Sequence, residues 1–292
     1  MIADTQKDDP YMNRPIKADG SVKTDIENQI PPITQGKYFW LIVLPVYGFF
    51  LAIIALAYFY LDANARPFSN PLWAKLFGSL MICSYCFLIW EKIHYYGYCG
   101  FYESFWYCHQ SLLYCGVAFL LNLPSVVCMT LCMVLIPHIA FYVDIICYPI
   151  FGVAPANAGG FLYDKNWPLH TKLVTLHHFW YIPGCLFFLY DYPILPFSGY
   201  LLSLIFFSWS QIWCHFLTPI EAPDLNGKMC YINVCISFDA PTVIYNVPPY
   251  KYALGRPYIF FFIISILFYS VPVNFVSYGV FYLLQKFVLY QH

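Results

Sequence analysis

Seven long apolar runs, at 38–61, 73–90, 105–121, 124–151, 172–189, 195–217 and 258–289, limit what this chain can become. A helix needs roughly 20 mostly apolar residues to cross a bilayer, whose core leaves every backbone amide to find its partner within its own segment. The runs therefore predict an all-α fold, a polytopic membrane helix bundle with about seven transmembrane helices and no second domain. With 61% hydrophobic and 10% charged residues, the chain has too little polar surface to fold as a soluble globule.

Outside the runs, residues 1–37 form a polar tail with few large apolar side chains, acidic enough to exclude a signal or transit peptide. A long loop at 218–257, rich in Pro, Asn and Tyr, contains a semi-apolar stretch, MCYINVCI, that suits a short re-entrant or interfacial segment. With seven crossings, the tail and the even-numbered loops share one side. That side carries Lys7, Arg14, Lys17, Lys23, Lys37, Lys92, Lys165, Lys172, Lys228, Lys251 and Arg256, leaving only Arg66, Lys75 and Lys286 opposite. Eleven of the 14 basic residues on one side predict a cytosolic N terminus and a C terminus outside; the organelle is not specified. A net charge of −1 argues against a nucleic-acid partner.

Most of the 12 cysteines fall in or beside apolar runs, where thiols pack as small hydrophobes and disulfides are not expected. Cys83 and Cys86 have a C-x-x-C spacing, but within a span rather than a redox fold. The 28 Phe and 28 Tyr are read as core filling and interfacial belts. Residues 91–104, rich in Gly and Tyr, read as a loop, and Pro272 is expected to kink the last helix.

Ionisable groups inside a bilayer are costly and mark sites more often than not. Alternating crossings bring several to one layer, roughly 4 to 11 Å inside the cytosolic boundary at 1.5 Å per residue. Cys108 and His109 lie in the first turn of the third helix and Asp144 about two turns from the end of the fourth. His177 and His178 lie in the second turn of the fifth, and Gln211 and His215 near the end of the sixth. The histidine pair is separated by about 100° around a helix, so at most one of them should face the core. His138 falls near mid-membrane with no partner found at its depth and reads as structural. A thiol at a helix N-terminus beside an imidazole is a plausible acyl-transfer nucleophile. In this reading Cys108 attacks, His177 or His178 is the base, His109 and His215 orient or polarise, and Asp144 supports an imidazole. No cofactor or metal is expected.

At these residues the chain resembles the transmembrane protein 164 acyltransferase family and, more distantly, the androgen-induced fatty-ester hydrolases. The likeness rests on Cys108-His109 at a helix start, on TLHHFWYIP with His177 or His178 ahead of Pro183, and on His215-Phe216. It also rests on Leu225, Asn226, Met229 and Cys230 followed by Asp239, and it spans 105–250. It lacks the family's Asn-Pro before the cysteine and a Gly after the histidine pair. The resemblance implies fatty-acyl transfer between membrane phospholipids, or hydrolysis of lipid esters. Three alternatives read differently. One is a non-catalytic accessory subunit of a large membrane protein assembly, with tail and loop as docking arms. The second is a haem protein, for which His138 lacks a partner. The third is a di-iron enzyme, for which one His-His pair is too few.

Overall fold

The computed structural model describes residues 39–156, 158–165, 167–190, 192, 195–218, 221–223, 225, 229–231, 248–249 and 257–289. The expected tail 1–37, most of the loop 218–257, with Asn226 and Asp239, and the last three residues lie outside them. Helix α1 (Phe39–Leu56) ends in a widened π turn, Ala57–Leu61. It is followed by α2 (Pro71–Glu103), α3 (Tyr107–Leu121) and α4 (Pro124–Phe151). The short α5 (Leu169–Thr175) runs into α6 (His177–Phe188), and α7 (Phe197–Leu217) comes next. The last helix, α8 (Tyr258–Leu289), contains a π turn at Ile266–Ser270. That turn sits where Pro272 removes the amide that the carbonyl of residue 268 would bond, which is the local disturbance expected of the proline.

The fold is an all-α bundle with one small addition. Strand β1 (Glu221–Pro223) pairs antiparallel with β2 (Met229–Tyr231), the first three residues of the stretch expected to be interfacial. Five helices, α1, α2, α4, α7 and α8, are long and apolar enough to cross a membrane. The chain is a multi-pass membrane protein. The other two expected crossings look different: α3 has 15 residues and rises about 22 Å, short of a core of about 30 Å, and the fifth is broken at Leu176 into α5 and α6.

Side-chain bonds hold the two ends of the bundle. At one end the Asp62 carboxylate, just after α1, accepts from Ser125 N (3.1 Å) and Oγ (2.8 Å) at the start of α4, and Ser125 Oγ meets Ser198 Oγ at 2.7 Å. Asn122, in a left-handed conformation after α3, accepts from Phe68 N (3.0 Å), and the Leu195 amide donates to Gln285 on α8 (2.7 Å). At the other end Glu91 accepts from His170 and Thr171, and Tyr96 bonds Thr171. The backbone thus travels between these ends in alternating directions.

Helix α4 runs through the centre, and small residues let its neighbours approach. A Cβ added at Gly116 of α3 would sit 2.8 Å from the Gly78 carbonyl of α2, and one at Gly199 of α7 would sit 2.3 Å from Cys128 Cβ of α4. In lipid, where no hydrophobic force draws helices together, such close contact supplies the packing attraction.

Residues 91–104 correct the loop expectation. They are helical as far as Glu103 except at Gly97, and Glu91, Lys92, Glu103 and Ser104 are buried. The reversal occurs at Gly97 (φ 60°, ψ −133°), a backbone state that a Cβ disfavours. Gly100 then packs so tightly that a Cβ there would meet the Lys92 carbonyl oxygen at 2.0 Å. Across this helical hairpin Lys92 Nζ and Glu103 Oε2 pair at 2.8 Å, both screened from solvent. Lys92, expected among exposed basic residues, is an internal structural charge.

Candidate functional site

The helical hairpin of α2 delivers the chain to Trp106, whose extended backbone (ψ 145°) starts α3. Cys108 and His109 follow in the first turn. The Glu103 carbonyl, which also accepts from Trp106 N (3.3 Å), accepts from His109 Nδ1 at 2.9 Å. Glu103 therefore acts twice, with its carboxylate on Lys92 and its carbonyl on His109.

The second half of the site comes from the break at Leu176. There the helix tightens, with Leu176 N bonding Leu173 O and Phe179 N bonding Leu176 O. The neighbouring carbonyls take imidazole partners: His177 Nδ1 donates to Val174 O (2.7 Å) and His178 Nδ1 to Thr175 O (2.9 Å). A carbonyl can only accept, so each Nδ1 carries the proton and each Nε2 keeps a lone pair. His109 and His138, whose Nδ1 meets Val134 O at 2.9 Å, are in the same tautomer for the same reason.

The side chains of Cys108, His109 and His177 converge, with one thiol or imidazole donor atom of each lying within 4.8 Å of the others. The His109 and His177 rings meet edge to face, with centroids 5.7 Å apart. Cys108 and His109 are partly exposed, whereas His177 is 3% exposed and its Nε2 has no hydrogen-bond partner among the described residues. The half-open thiol thus has a buried imidazole behind it. Of the histidine pair, His177 belongs to this centre.

His178 is also buried, contrary to the expectation that one of the two would face outward. Its ring stacks on Phe141 (4.5 Å) and lies 4.7 Å from His138. His138 thus has a neighbour at its own depth, which straight-helix counting missed. The rings of His109, His177, His178 and His138 form a continuous file, with His177 and His178 only 4.1 Å apart.

Two predicted residues do not join the group. Among the described residues Asp144 supports no imidazole: its carboxylate accepts from the amides of Ala156 (2.7 Å), Ala158 and Gly159 (2.9 Å), folding the following loop back onto α4. A carboxylate buried at a helix end is satisfied as well by backbone amides as by a ring. The His215 ring lies flat on Tyr258, with centroids 3.4 Å apart and planes 3° from parallel, while Tyr258 Oη donates to the Gln211 carbonyl. Gln211 and His215 therefore clasp the start of α8 against α7. The residues missed from sequence, Glu103 and Lys92, carried one legible sign: opposite charges eleven positions apart around Gly97 and Gly100.

Compared with family models, curated proteins and solved structures, the chain finds no match in any of the three.

Proposed function

We propose that this protein is a membrane enzyme that transfers or hydrolyses fatty-acyl esters of lipids, using Cys108 as nucleophile and His177 as general base. The observation that carries the reading is the convergence of the Cys108 thiol with two imidazoles whose Nδ1 protons are tied to the backbone, leaving each Nε2 its lone pair. The resemblance at Cys108-His109, at the histidine pair and at His215-Phe216 points to the same chemistry.

In the first step Nε2 of His177 takes the thiol proton as Cys108 Sγ attacks the ester carbonyl. The tetrahedral adduct collapses to a thioester as the imidazolium returns that proton to the leaving alcohol oxygen. In the second step the imidazole deprotonates water or a lysolipid hydroxyl, which attacks the thioester and regenerates the thiol. Water as acceptor gives hydrolysis, and a lysolipid gives transfer. His109 abuts both partners and orients the His177 ring. The substrates are membrane phospholipids or other fatty-acyl esters. We read the site as lying at the cytosolic leaflet with the N terminus in the cytosol, a reading that the excess of basic residues on that side supports.

The test is incubation of the purified full-length protein with a labelled phospholipid, with and without a lysophospholipid acceptor, followed by lipid analysis and intact-protein mass spectrometry. Wild type is expected to release or transfer acyl chains and to trap a thioester on Cys108, and Cys108→Ser to do neither. Equal turnover by both proteins overturns the proposal. No turnover by wild type over a broad lipid panel favours the accessory-subunit alternative.

A further inference from the structure

We infer that Cys108, His109 and His177 together bind one divalent transition-metal ion of the zinc class. Zinc sits about 2.3 Å from sulfur and 2.0 to 2.1 Å from imidazole nitrogen, which in a tetrahedron separates donor atoms by roughly 3.3 to 3.6 Å. Donor atoms already gathered within 4.8 Å need to close by no more than about 1.5 Å to reach that spacing.

Three further observations point to an ion. His177 Nε2 is buried and lacks a hydrogen-bond partner among the described residues, and a lone pair in that state is relieved by coordination. Both imidazoles donate Nδ1–H to backbone carbonyls, Glu103 for His109 and Val174 for His177. This is the outer-shell arrangement that fixes metal-binding histidines and raises their basicity. The donor set of one thiolate and two imidazoles also favours zinc over magnesium or calcium, which prefer oxygen. The fourth tetrahedral position is left for water. The expectation of no metal is replaced accordingly.

Binding releases the thiol proton to solvent and turns Cys108 Sγ into a ligand, so its lone pair is held by the ion and not offered to an ester carbonyl. Ion binding and acyl transfer then compete for one sulfur, a consequence that rests on the proposed enzymatic reading; the ion site itself does not.

The experiment uses full-length protein in detergent, stripped with chelator and titrated with Co2+. Wild type is expected to saturate at one equivalent, showing the visible bands of a tetrahedral ion and a near-ultraviolet thiolate-to-cobalt band, both abolished by excess Zn2+. Cys108→Ser should lose the thiolate band, His177→Ala and His109→Gln should each weaken binding about tenfold or more, and Cys86→Ser, at an exposed thiol, should behave as wild type. Circular dichroism and gel filtration establish that each variant is folded. A wild type with no saturable thiolate band, or a band that survives in folded Cys108→Ser, overturns the site. In a parallel lipid assay Zn2+ should suppress turnover and chelator restore it. Turnover that rises with zinc overturns the competition. Cobalt binding by a protein with no turnover in any form leaves the ion site standing and removes the enzymatic reading.

Discussion

His109 donates its Nδ1 proton to the carbonyl of Glu103, at 2.9 Å, and the carboxylate of the same Glu103 is held 2.8 Å from Lys92 Nζ. One residue thus connects the buried ion pair of the α2 hairpin to the imidazole beside the thiol. Position of the site, in this protein, is a consequence of how a helical hairpin closes.

That connection makes the pair testable. Removing one partner leaves a buried charge without its counter-ion, which costs about 3 to 5 kcal/mol, whereas replacing both with apolar groups is often close to neutral. Lys92→Met and Glu103→Gln are each expected to lower the melting temperature in detergent and to slow lipid turnover. The double variant Lys92→Met, Glu103→Leu should recover much of the stability, as read by differential scanning fluorimetry on the same preparations.

The histidine pair separates by role. His177→Ala removes the proposed base and is expected to lower turnover by on the order of 10² to 10⁴, the usual contribution of a positioned general base. His178→Phe keeps a ring against Phe141 and His138 and should retain most of the activity. Steady-state lipid turnover of the two variants checks the difference; similar losses would show that the whole file of imidazoles acts as a unit.

How much of this was legible beforehand depends on what each residue answers to. Helices α4 and α8 run over 124–151 and 258–289, as their apolar runs predict, because in a bilayer length and apolarity alone dictate a helix. The meeting of Cys108, His109 and His177 followed from alternation of direction and depth. The hairpin at 91–104 did not, because its polar residues find their partners across the turn at Gly97 and not along the sequence. The partner of Asp144 is not legible because a buried carboxylate in an apolar run is equally consistent with a ring or with amides, and only the placement of the Ala156, Ala158 and Gly159 amides decides. His138 reads as isolated in the sequence because counting from helix ends assumes unbroken helices. The tight turn at Leu176 sets the start of α6 and, with it, where His178 meets α4.

Asp144→Asn tests its reassignment. The variant keeps the size but replaces one acceptor oxygen with a donor amide facing backbone N–H groups, costing about 1 to 3 kcal/mol for the group left unsatisfied. Hydrogen exchange should quicken at the amides of Ala156, Ala158 and Gly159, the three that the carboxylate holds. Turnover by folded protein should change little; a loss as large as that of His177→Ala would restore Asp144 to the proposed catalytic group.

Helix approach supplies the last test. Gly116 faces the Gly78 carbonyl at a distance that leaves no room for a methyl group, whereas Gly279, on α8, has nothing within 4 Å of where a Cβ would stand. Inserting a carbon into a packed contact costs about 1 to 3 kcal/mol, so Gly116→Ala should lower the melting temperature and Gly279→Ala should leave it unchanged. Because α3 carries Cys108 in its first turn, pushing it from α2 should also displace the thiol from His177. Gly116→Ala is therefore expected to weaken Co2+ binding as well as stability. Loss of stability with cobalt affinity intact would mean that the hairpin at Gly97, and not the α2–α3 crossing, sets the position of the sulfur.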